Sequence, residues 1–322
     1  MLSESFPERG EKMYNGKDVN RPLIERIRAL SRPLSPLPTG LAPQGRDPLF
    51  VAVVLFDVYG TLFISGSGDI GVRENCDRAD ALTDAVRAAG LKVLSSSVGE
   101  EGVRWLSDEI RLAHEKAKTQ GVASPEVDIR LIWKSVLEKM QVHGLVKGSA
   151  DEERVLLAAT DYECRVNPVW PMPGLKELLE NLRSRNVRMG LISNAQFLTP
   201  LLFPALLGLT LEEAGFDPAL NVWSYAEGEA KPSVRLYERA ADVLKQRYGV
   251  AASQVLYVGN DILNDIRPAR QAGFRTALFA GDRRSLRLRE DDPDCQGVEP
   301  DWVITELDQI RKCVQSCDPN SL

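Results

Sequence analysis

Residues 51–63 read Val-Ala-Val-Val-Leu-Phe-Asp-Val-Tyr-Gly-Thr-Leu-Phe, an apolar run rich in β-branched residues that ends at the carboxylate of Asp57. Such a run predicts a strand buried on both faces of a parallel sheet, with Asp57 at its carboxyl end. Ligands of open α/β sheets bind at that edge, where a carboxylate can attack an electrophile. The stretch alone also fits a strand that ends in an ordinary polar turn, so the rest of the chain has to decide.

The composition is that of a globular protein. The chain has 322 residues, of which 43% are hydrophobic and 27% charged, which allows two domains or one domain with a large insertion. The formal net charge of −6 gives no basic surface for nucleic acid and no attraction to an anionic membrane. No apolar run approaches the roughly 18 residues of a transmembrane helix. We therefore expect a small-molecule substrate, no nucleic acid and no membrane; the oligomeric state is not indicated.

Cysteine and histidine usage indicates a cytoplasmic protein without a histidine-based site. The five cysteines are scattered, as in proteins of a reducing compartment, and the amino terminus has no secretory-signal pattern. The only two histidines, His114 and His143, both fall in a predicted helical region. A histidine metal site or a Ser-His-Asp triad is therefore not supported.

The chain divides into four parts by composition. Residues 1–48 hold 7 of the 19 prolines and predict a poorly ordered arm, with one short amphipathic helix at residues 23–30. Residues 67–165 contain helix after helix, too long a span for a simple crossover between two strands, and predict an inserted helical domain. Residues 49–66 and 166–312 form the predicted α/β core, and residues 313–322 a tail.

Strands alternate with helices after the insertion, which predicts a doubly wound parallel sheet. A helix is expected at residues 234–248, before Gly249. The later strands are predicted at residues 187–192, 221–225, 255–259, 276–280 and 302–305.

A cluster of polar residues follows each of four predicted strands. In a parallel sheet these clusters meet at one edge. They would supply a nucleophile, neutral donors, a cation and a group of oxygen ligands. The four clusters are Asp57, Tyr59 and Thr61; Ser193 and Asn194; Lys231; and Asn260, Asp261, Asn264 and Asp265.

The ordered motifs FDVYGTL, LISN, KP and GNDILND resemble those of the haloacid dehalogenase superfamily of aspartate-nucleophile hydrolases, over about residues 51–282. The resemblance implies a Rossmann-like α/β core, with the helical insertion at the place of the superfamily's all-α cap. It also implies that Asp57 attacks phosphorus or carbon and that Lys231 neutralises the developing charge. Thr61, Ser193 and Asn194 would donate hydrogen bonds to the group that is transferred.

The acidic fourth motif predicts a magnesium site. Pro268 fits a helix only in its first turn, so the helix is expected to start near Asp265. Oxygen ligands on a loop beside a nucleophilic carboxylate suit Mg²⁺. The family motif usually has Gly-Asp where this chain has Gly259-Asn260. The candidate metal ligands are Asp57, Tyr59, Asp261 and Asp265, with Asn260 as a neutral alternative.

Tyr59 is the second departure from the family pattern. Family phosphatases usually carry an aspartate there, which protonates the leaving alcohol, whereas a tyrosine with a pKa near 10 is a poor base at neutral pH. Tyrosine at this position looks like the 2-haloacid dehalogenases, whose halide leaves without a proton. Tyr237 also suits that branch, but it fits equally well as a buried helix residue.

Three functions follow as alternatives. Unpaired carboxylates beside the nucleophile would raise its pKa, and a divalent cation would remove that problem. This favours an Mg²⁺-dependent phosphohydrolase of a small phosphorylated metabolite. The alternatives are a metal-independent 2-haloacid dehalogenase and a catalytically weak binding or scaffold protein.

The insertion is expected to select the substrate. Candidate segments are the loop at residues 66–69 and the stretch 126–133, where Arg130 could clamp a carboxylate or phosphate or pair with Asp128. The arginine-rich run at residues 283–289, followed by acidic residues 290–292, predicts a solvated, self-compensating loop.

Overall fold

A seven-stranded sheet forms the centre of the computed structural model, which describes residues 17–45, 49–66 and 78–316. All neighbouring strands in it are parallel except the first pair. In spatial order the strands are β1 (Gln44–Gly45), β12 (Trp302–Ile304), β11 (Arg275–Phe279), β10 (Val255–Gly259), β3 (Val53–Phe56), β8 (Arg188–Ser193) and β9 (Phe216–Trp223). Three two-stranded pairs flank it: β2 (Leu49–Val51) with β13 (Val314–Ser316), β4 (Phe63–Ser65) with β7 (Val169–Pro171), and β5 (Lys92–Val93) with β6 (Val146–Lys147).

Helices cover both faces of the sheet, so the predicted doubly wound α/β fold is confirmed. Strand β3 is buried along its whole length, and its side chains alternate between two apolar clusters. The helices are α1 (Lys17–Leu30), α2 (Arg78–Ala88), α3 (Val98–Thr119), α4 (Ile129–Val142), α5 (Glu152–Val166), α6 (Leu175–Ser184), α7 (Ser224–Glu227), α8 (Arg235–Tyr248), α9 (Arg267–Gln271) and α10 (Ile310–Cys313).

The positions of the main strands differ little from those expected. Strand β9 begins at Phe216, earlier than the predicted residue 221, and ends where Ser224 starts the short helix α7. The edge strand β1 was not foreseen, because two exposed residues carry no alternating pattern. The predicted tail also differs, since residues 314–316 form β13 beside β2 and Val314 is buried.

Helices α2 to α5 form the insertion and have an apolar core of their own, with Trp133 fully buried in it. Strands β4 and β7 are the two connections to the sheet domain and pair antiparallel. Ser65 donates a hydrogen bond of 2.8 Å to Asn167 between them. Residues 67–69 of the predicted 66–69 loop lie outside the described residues. No helix in the described ranges is long and apolar enough to cross a membrane.

Helix α1 is packed against the sheet domain, which differs from the poorly ordered arm that we expected for residues 1–48. Residues 1–16 and 46–48 of that arm lie outside the described residues. Helix α1 is longer than the predicted stretch at residues 23–30, and its Leu23 and Ile27 are buried in the main core. Arg28 donates to the carbonyl oxygens of Pro204 and Ala205, and Thr39 to that of Ala280. Apolar residues at helical spacing thus outweigh the helix-breaking effect of proline, since Pro22 lies inside α1.

An ion cluster joins α1 to the insertion, and we expect it to stabilise the fold. Asp161 in α5 is fully buried and forms salt bridges with Arg26 and Arg165. Arg26→Ala removes one charged donor, so the free energy of unfolding should fall by roughly 1.5–3 kcal/mol, measured by urea denaturation. The control is Arg21→Ala, because Arg21 forms an exposed pair with Glu25 and should contribute at most about 0.5 kcal/mol. Equal losses in the two variants would contradict this role.

Candidate active site

Four loops at the carboxyl edge of the sheet bring the predicted polar residues together. Strands β10, β3, β8 and β9 are neighbours in the sheet, and each carries one of the four sequence motifs at or after its end. Asp57 follows β3, Ser193 ends β8, Lys231 lies beyond β9 and α7, and Asp265 lies beyond β10. The convergence expected from the order of the motifs is therefore present.

Lys231 is the centre of this cluster. Its ammonium group donates to Asp57 Oδ1 at 2.8 Å, to Asp265 Oδ1 at 2.6 Å and to the hydroxyl of Tyr257 at 3.2 Å. The Lys231 side chain is only 3% exposed. Burial acts to lower the pKa of Lys231, but the carboxylates of Asp265 and Asp57 outweigh it and the pKa is raised. The lysine is therefore a cation at neutral pH.

Asp265 is held from both sides. One carboxylate oxygen accepts from Lys231, and the other accepts from the backbone N–H groups of Asn260 and Asp261 at 2.9 and 3.0 Å. Burial raises the pKa of Asp265 to about 6, against the opposing effect of the Lys231 ammonium. Gly259 makes room for this arrangement, because a Cβ atom there would lie 2.4 Å from Asp265 Cγ.

The neutral donors bond within the protein. Thr61 is fully buried and donates to Asn260 Oδ1 at 3.0 Å. Asn194 binds the backbone of the lysine, since Lys231 N–H donates to Asn194 Oδ1 at 2.7 Å. The Ser193 hydroxyl lies 3.5 Å from the Asn194 carbonyl oxygen, a long contact. Their expected contacts with a transferring group stay a prediction. The hydrogen bond between Asn194 of the second motif and Lys231 of the third holds the two motif loops together.

Asp261 points away from the cluster. Its carboxylate accepts from Leu263 N–H and Asn264 N–H at the start of a π-helix, Ile262–Ile266. The same carboxylate forms a bidentate pair with Arg289, at 3.1 and 2.6 Å. Because Asp261 caps this turn, the helical segment begins at Ile262 rather than near Asp265 as we expected, and Pro268 stands in the first turn of α9.

Tyr59 also faces another direction. Its hydroxyl lies 2.9 Å from the Thr199 hydroxyl. Burial, and then the charge of Glu163, raise the pKa of Tyr59 far above its ordinary value. The phenol therefore stays neutral and can serve neither as a base nor as an anionic metal ligand near neutral pH.

The residues present do not fit the expected magnesium site. The Asp265 carboxylate already accepts hydrogen bonds from Lys231 and two backbone N–H groups. The Asp261 carboxylate accepts from Arg289 and from a backbone N–H at the helix start. The Asn260 amide is engaged at both ends, by Thr61 and by the Ser285 carbonyl oxygen. Over residues 17–45, 49–66 and 78–316, no group of three or more His, Cys, Asp or Glu side chains is placed to hold a metal ion.

The expectation of a metal depended on unpaired carboxylates, and the structure pairs them. The pairing of Asp261 comes from residues 283–289, which we expected to form a solvated loop. Arg287 N–H donates to the Asn260 carbonyl oxygen at 3.0 Å, and Ile262 N–H to the Arg287 carbonyl oxygen at 2.9 Å. Ser285 is buried beside Gly60. Residues 283–289 therefore lie along the fourth motif. Backbone hydrogen bonds to Asn260 and Ile262 hold them there, although their charge pattern is that of a solvated loop.

Arg130 of the insertion lies at the side of the second-motif loop. Its guanidinium group pairs with Asp128 at 2.6 Å, one of the two partners considered from the sequence. The same group lies over the rings of Phe197 and Tyr225, at 5.9 and 5.5 Å from their centroids. A substrate contact of Arg130 stays a prediction.

Sequence reasoning missed Tyr257 and Arg289 and left Tyr237 undecided. Tyr257 completes the coordination of Lys231, and the signal for it was a tyrosine in an otherwise apolar strand beside β3. Tyr237 is fully buried against Tyr257 and donates to the Asn264 carbonyl oxygen at 2.8 Å. Arg289 lies 28 residues from its partner Asp261, so no local pattern indicated the pair.

Residues 51–273 match the sequence model of the haloacid dehalogenase-like hydrolases, and the chain belongs to that family. No curated protein matches it. A solved 2-haloacid dehalogenase from Pseudomonas syringae pv. Tomato DC3000 is similar, with 21% identity and a TM-score of 0.50 over 82% of this chain and 98% of that chain. A solved structure described as a predicted phosphoglycolate phosphatase, from Haemophilus somnus 129pt, shares 18% identity. Its TM-score is 0.41, over 81% of this chain and 97% of that chain. The similarity to the dehalogenase shows the fold alone.

Proposed function

We propose that this hydrolase displaces a halide from a short 2-haloacid through a covalent ester on Asp57, without a divalent cation. One observation carries the proposal: protein groups pair every carboxylate of the cluster. Lys231 pairs with Asp57 and Asp265, and Arg289 with Asp261. Lys231 thus supplies, next to the proposed nucleophile Asp57, the positive charge that we expected from Mg²⁺.

The first step would be an attack at carbon. A carboxylate oxygen of Asp57 bonds to C2 of the substrate, the carbon–halogen bond breaks, and its electron pair leaves with the halide. Lys231, 2.8 Å from Asp57 Oδ1, holds the carboxylate in place. The neutral phenol of Tyr59 supports this choice, because a halide leaves without the proton that an alcohol needs.

The second step would be hydrolysis of the ester. Water attacks the carboxyl carbon of Asp57, the bond from that carbon to the ester oxygen breaks, and a 2-hydroxy acid leaves. One water oxygen remains in the Asp57 carboxylate, and one proton is released to solvent. Thr61, Ser193, Asn194 and Arg130 remain proposed contacts for the substrate and for the developing charge.

The test is halide release from a panel of short 2-haloacids with EDTA present. We expect turnover that EDTA does not reduce and that Mg²⁺ does not increase, and we expect no melting-temperature shift on addition of Mg²⁺ alone. Turnover of a generic aryl phosphate that EDTA abolishes would overturn the proposal in favour of the magnesium-dependent phosphohydrolase. If neither substrate class is turned over and neither fluoroacetate nor a fluoroberyllate analogue binds, the scaffold alternative would replace it.

A further inference from the structure

The connection between α3 and α4 is inserted between two loops of the sheet domain. Ala230 N–H donates to the Ser124 carbonyl oxygen at 2.7 Å, and Glu126 N–H to the Gly228 carbonyl oxygen at 3.1 Å. Pro125 and Glu229 face each other as an antiparallel bridge. The insertion therefore pairs its backbone with the residues that directly precede Lys231.

Gln196 binds the same connection from the second-motif loop. Its side-chain nitrogen donates to the Val127 carbonyl oxygen at 2.9 Å, and its side-chain oxygen accepts from Ile129 N–H at 3.0 Å. The connection is thus held from both sides, by the loop after β8 and by the loop after β9.

Glu126 places a half-buried carboxylate at the centre of this contact. Its Oε2 accepts from the Ser224 hydroxyl at 2.9 Å, and its Oε1 accepts from Val127 N–H at 2.9 Å. Burial raises the pKa of Glu126, although these two donors oppose the shift. A carboxylate partly removed from water costs free energy unless donors satisfy it, and Ser224 is the donor to Oε2.

Ser224 links Glu126 to the second-motif loop at the proposed active site. It is fully buried at the start of α7, and its Oγ accepts from Ala195 N–H at 2.9 Å. The neighbour of Ala195 is Asn194, whose side chain accepts from Lys231 N–H at 2.7 Å. Ser224 and Asn194 therefore join the loops of the second and third motifs at two points, and Glu126 holds one of them.

We propose that Glu126 is a positioning residue: through Ser224 it fixes the loop that carries Lys231, so docking of the insertion sets the place of the ammonium beside Asp57. This inference rests on the proposed function, in which Lys231 acts beside the nucleophile. Glu126 itself touches neither Asp57 nor Lys231. Its effect is on geometry, because a displacement of about 1 Å at a reacting group costs on the order of 10²-fold in rate.

Glu126→Ala should lower kcat by roughly 10–100-fold while KM changes little, since Glu126 is not itself a proposed substrate contact. Glu126→Gln should restore most of kcat, because its side-chain amide can donate to Ser224 Oγ while the hydroxyl turns to the Ala195 carbonyl oxygen, 3.3 Å away. Glu126→Asp keeps the charge but is one methylene shorter and should lie between the two. It also serves if the alanine variant does not fold. Glu115→Ala, at an exposed glutamate of α3, is the matched control.

Amide hydrogen exchange tests the same idea without reference to activity. In Glu126→Ala, peptides covering residues 224–231 should exchange faster than in the wild type, whereas strand β10 should not change. Unchanged exchange at residues 224–231 would overturn the inference, and so would faster exchange with an unchanged kcat. If the wild type releases no product from any substrate, the proposed function fails, and the exchange data still decide whether Glu126 holds the Lys231 loop.

Discussion

Asp57→Asn is expected to reduce hydrolysis by at least about 10⁴-fold, because an amide is a poor nucleophile and no ester can form. The loss should appear in kcat, with the fold intact, since asparagine retains the shape of the side chain and can still accept from Lys231. Asp217→Asn makes the same chemical change in the first residues of β9, away from the carboxyl edge, and should leave turnover unaffected. Initial rates of product release measure both variants.

Isotope labelling separates the covalent route from direct attack of water. In H₂¹⁸O with enzyme in excess over substrate, the label should enter the peptide that contains Asp57, and the first product should contain ordinary oxygen. Label found in the first product, with none in Asp57, would contradict an ester intermediate even if Asp57→Asn were inactive.

Lys231→Met is expected to lower both activity and stability. The methionine removes the ammonium that pairs with the buried carboxylates of both Asp57 and Asp265. Breaking a buried ion pair in this way costs about 3–5 kcal/mol of the free energy of unfolding. Turnover should fall below detection, because Asp57 would lose the Lys231 ammonium that holds its carboxylate in place.

The stability loss should depend on pH. Burial already raises the pKa of Asp265 to about 6, and removal of the ammonium raises it further. A carboxyl group whose pKa is higher in the folded state is stabilising when protonated, so this contribution is lost as pH rises from about 4 through the folded pKa. Urea denaturation should therefore show a smaller deficit at pH 5 than at pH 8. Lys139→Met, at a partly exposed pair with Glu109, should cost at most about 1 kcal/mol at both pH values.

The sheet and the central triad could be predicted because their signals are local. Residues 51–56 are apolar without interruption, and only a strand covered on both faces needs that pattern. Once the strands are parallel, the residues that follow them must meet at one edge. Asp57, Lys231 and Asp265 therefore came together from sequence order alone.

The pairing of the acidic cluster could not be predicted in the same way. Arg289 is followed directly by Glu290, Asp291 and Asp292, so a local reading assigns its charge to them. In the structure it pairs with Asp261 because residues 285–289 run beside the fourth motif, and only tertiary packing determines that course. The direction of the Tyr59 side chain likewise depends on Thr199, which is distant in sequence.

Helix α1 precedes residue 51, where the match to the family begins. Its Leu23 and Ile27 belong to the same buried cluster as Leu201 and Phe203 of the sheet domain. A polypeptide that begins at residue 51 would leave the apolar residues that pack against α1 open to water, and exposed patches of this kind promote aggregation. Solubility of the hydrolase domain would then depend on a segment outside the residues that match the family model.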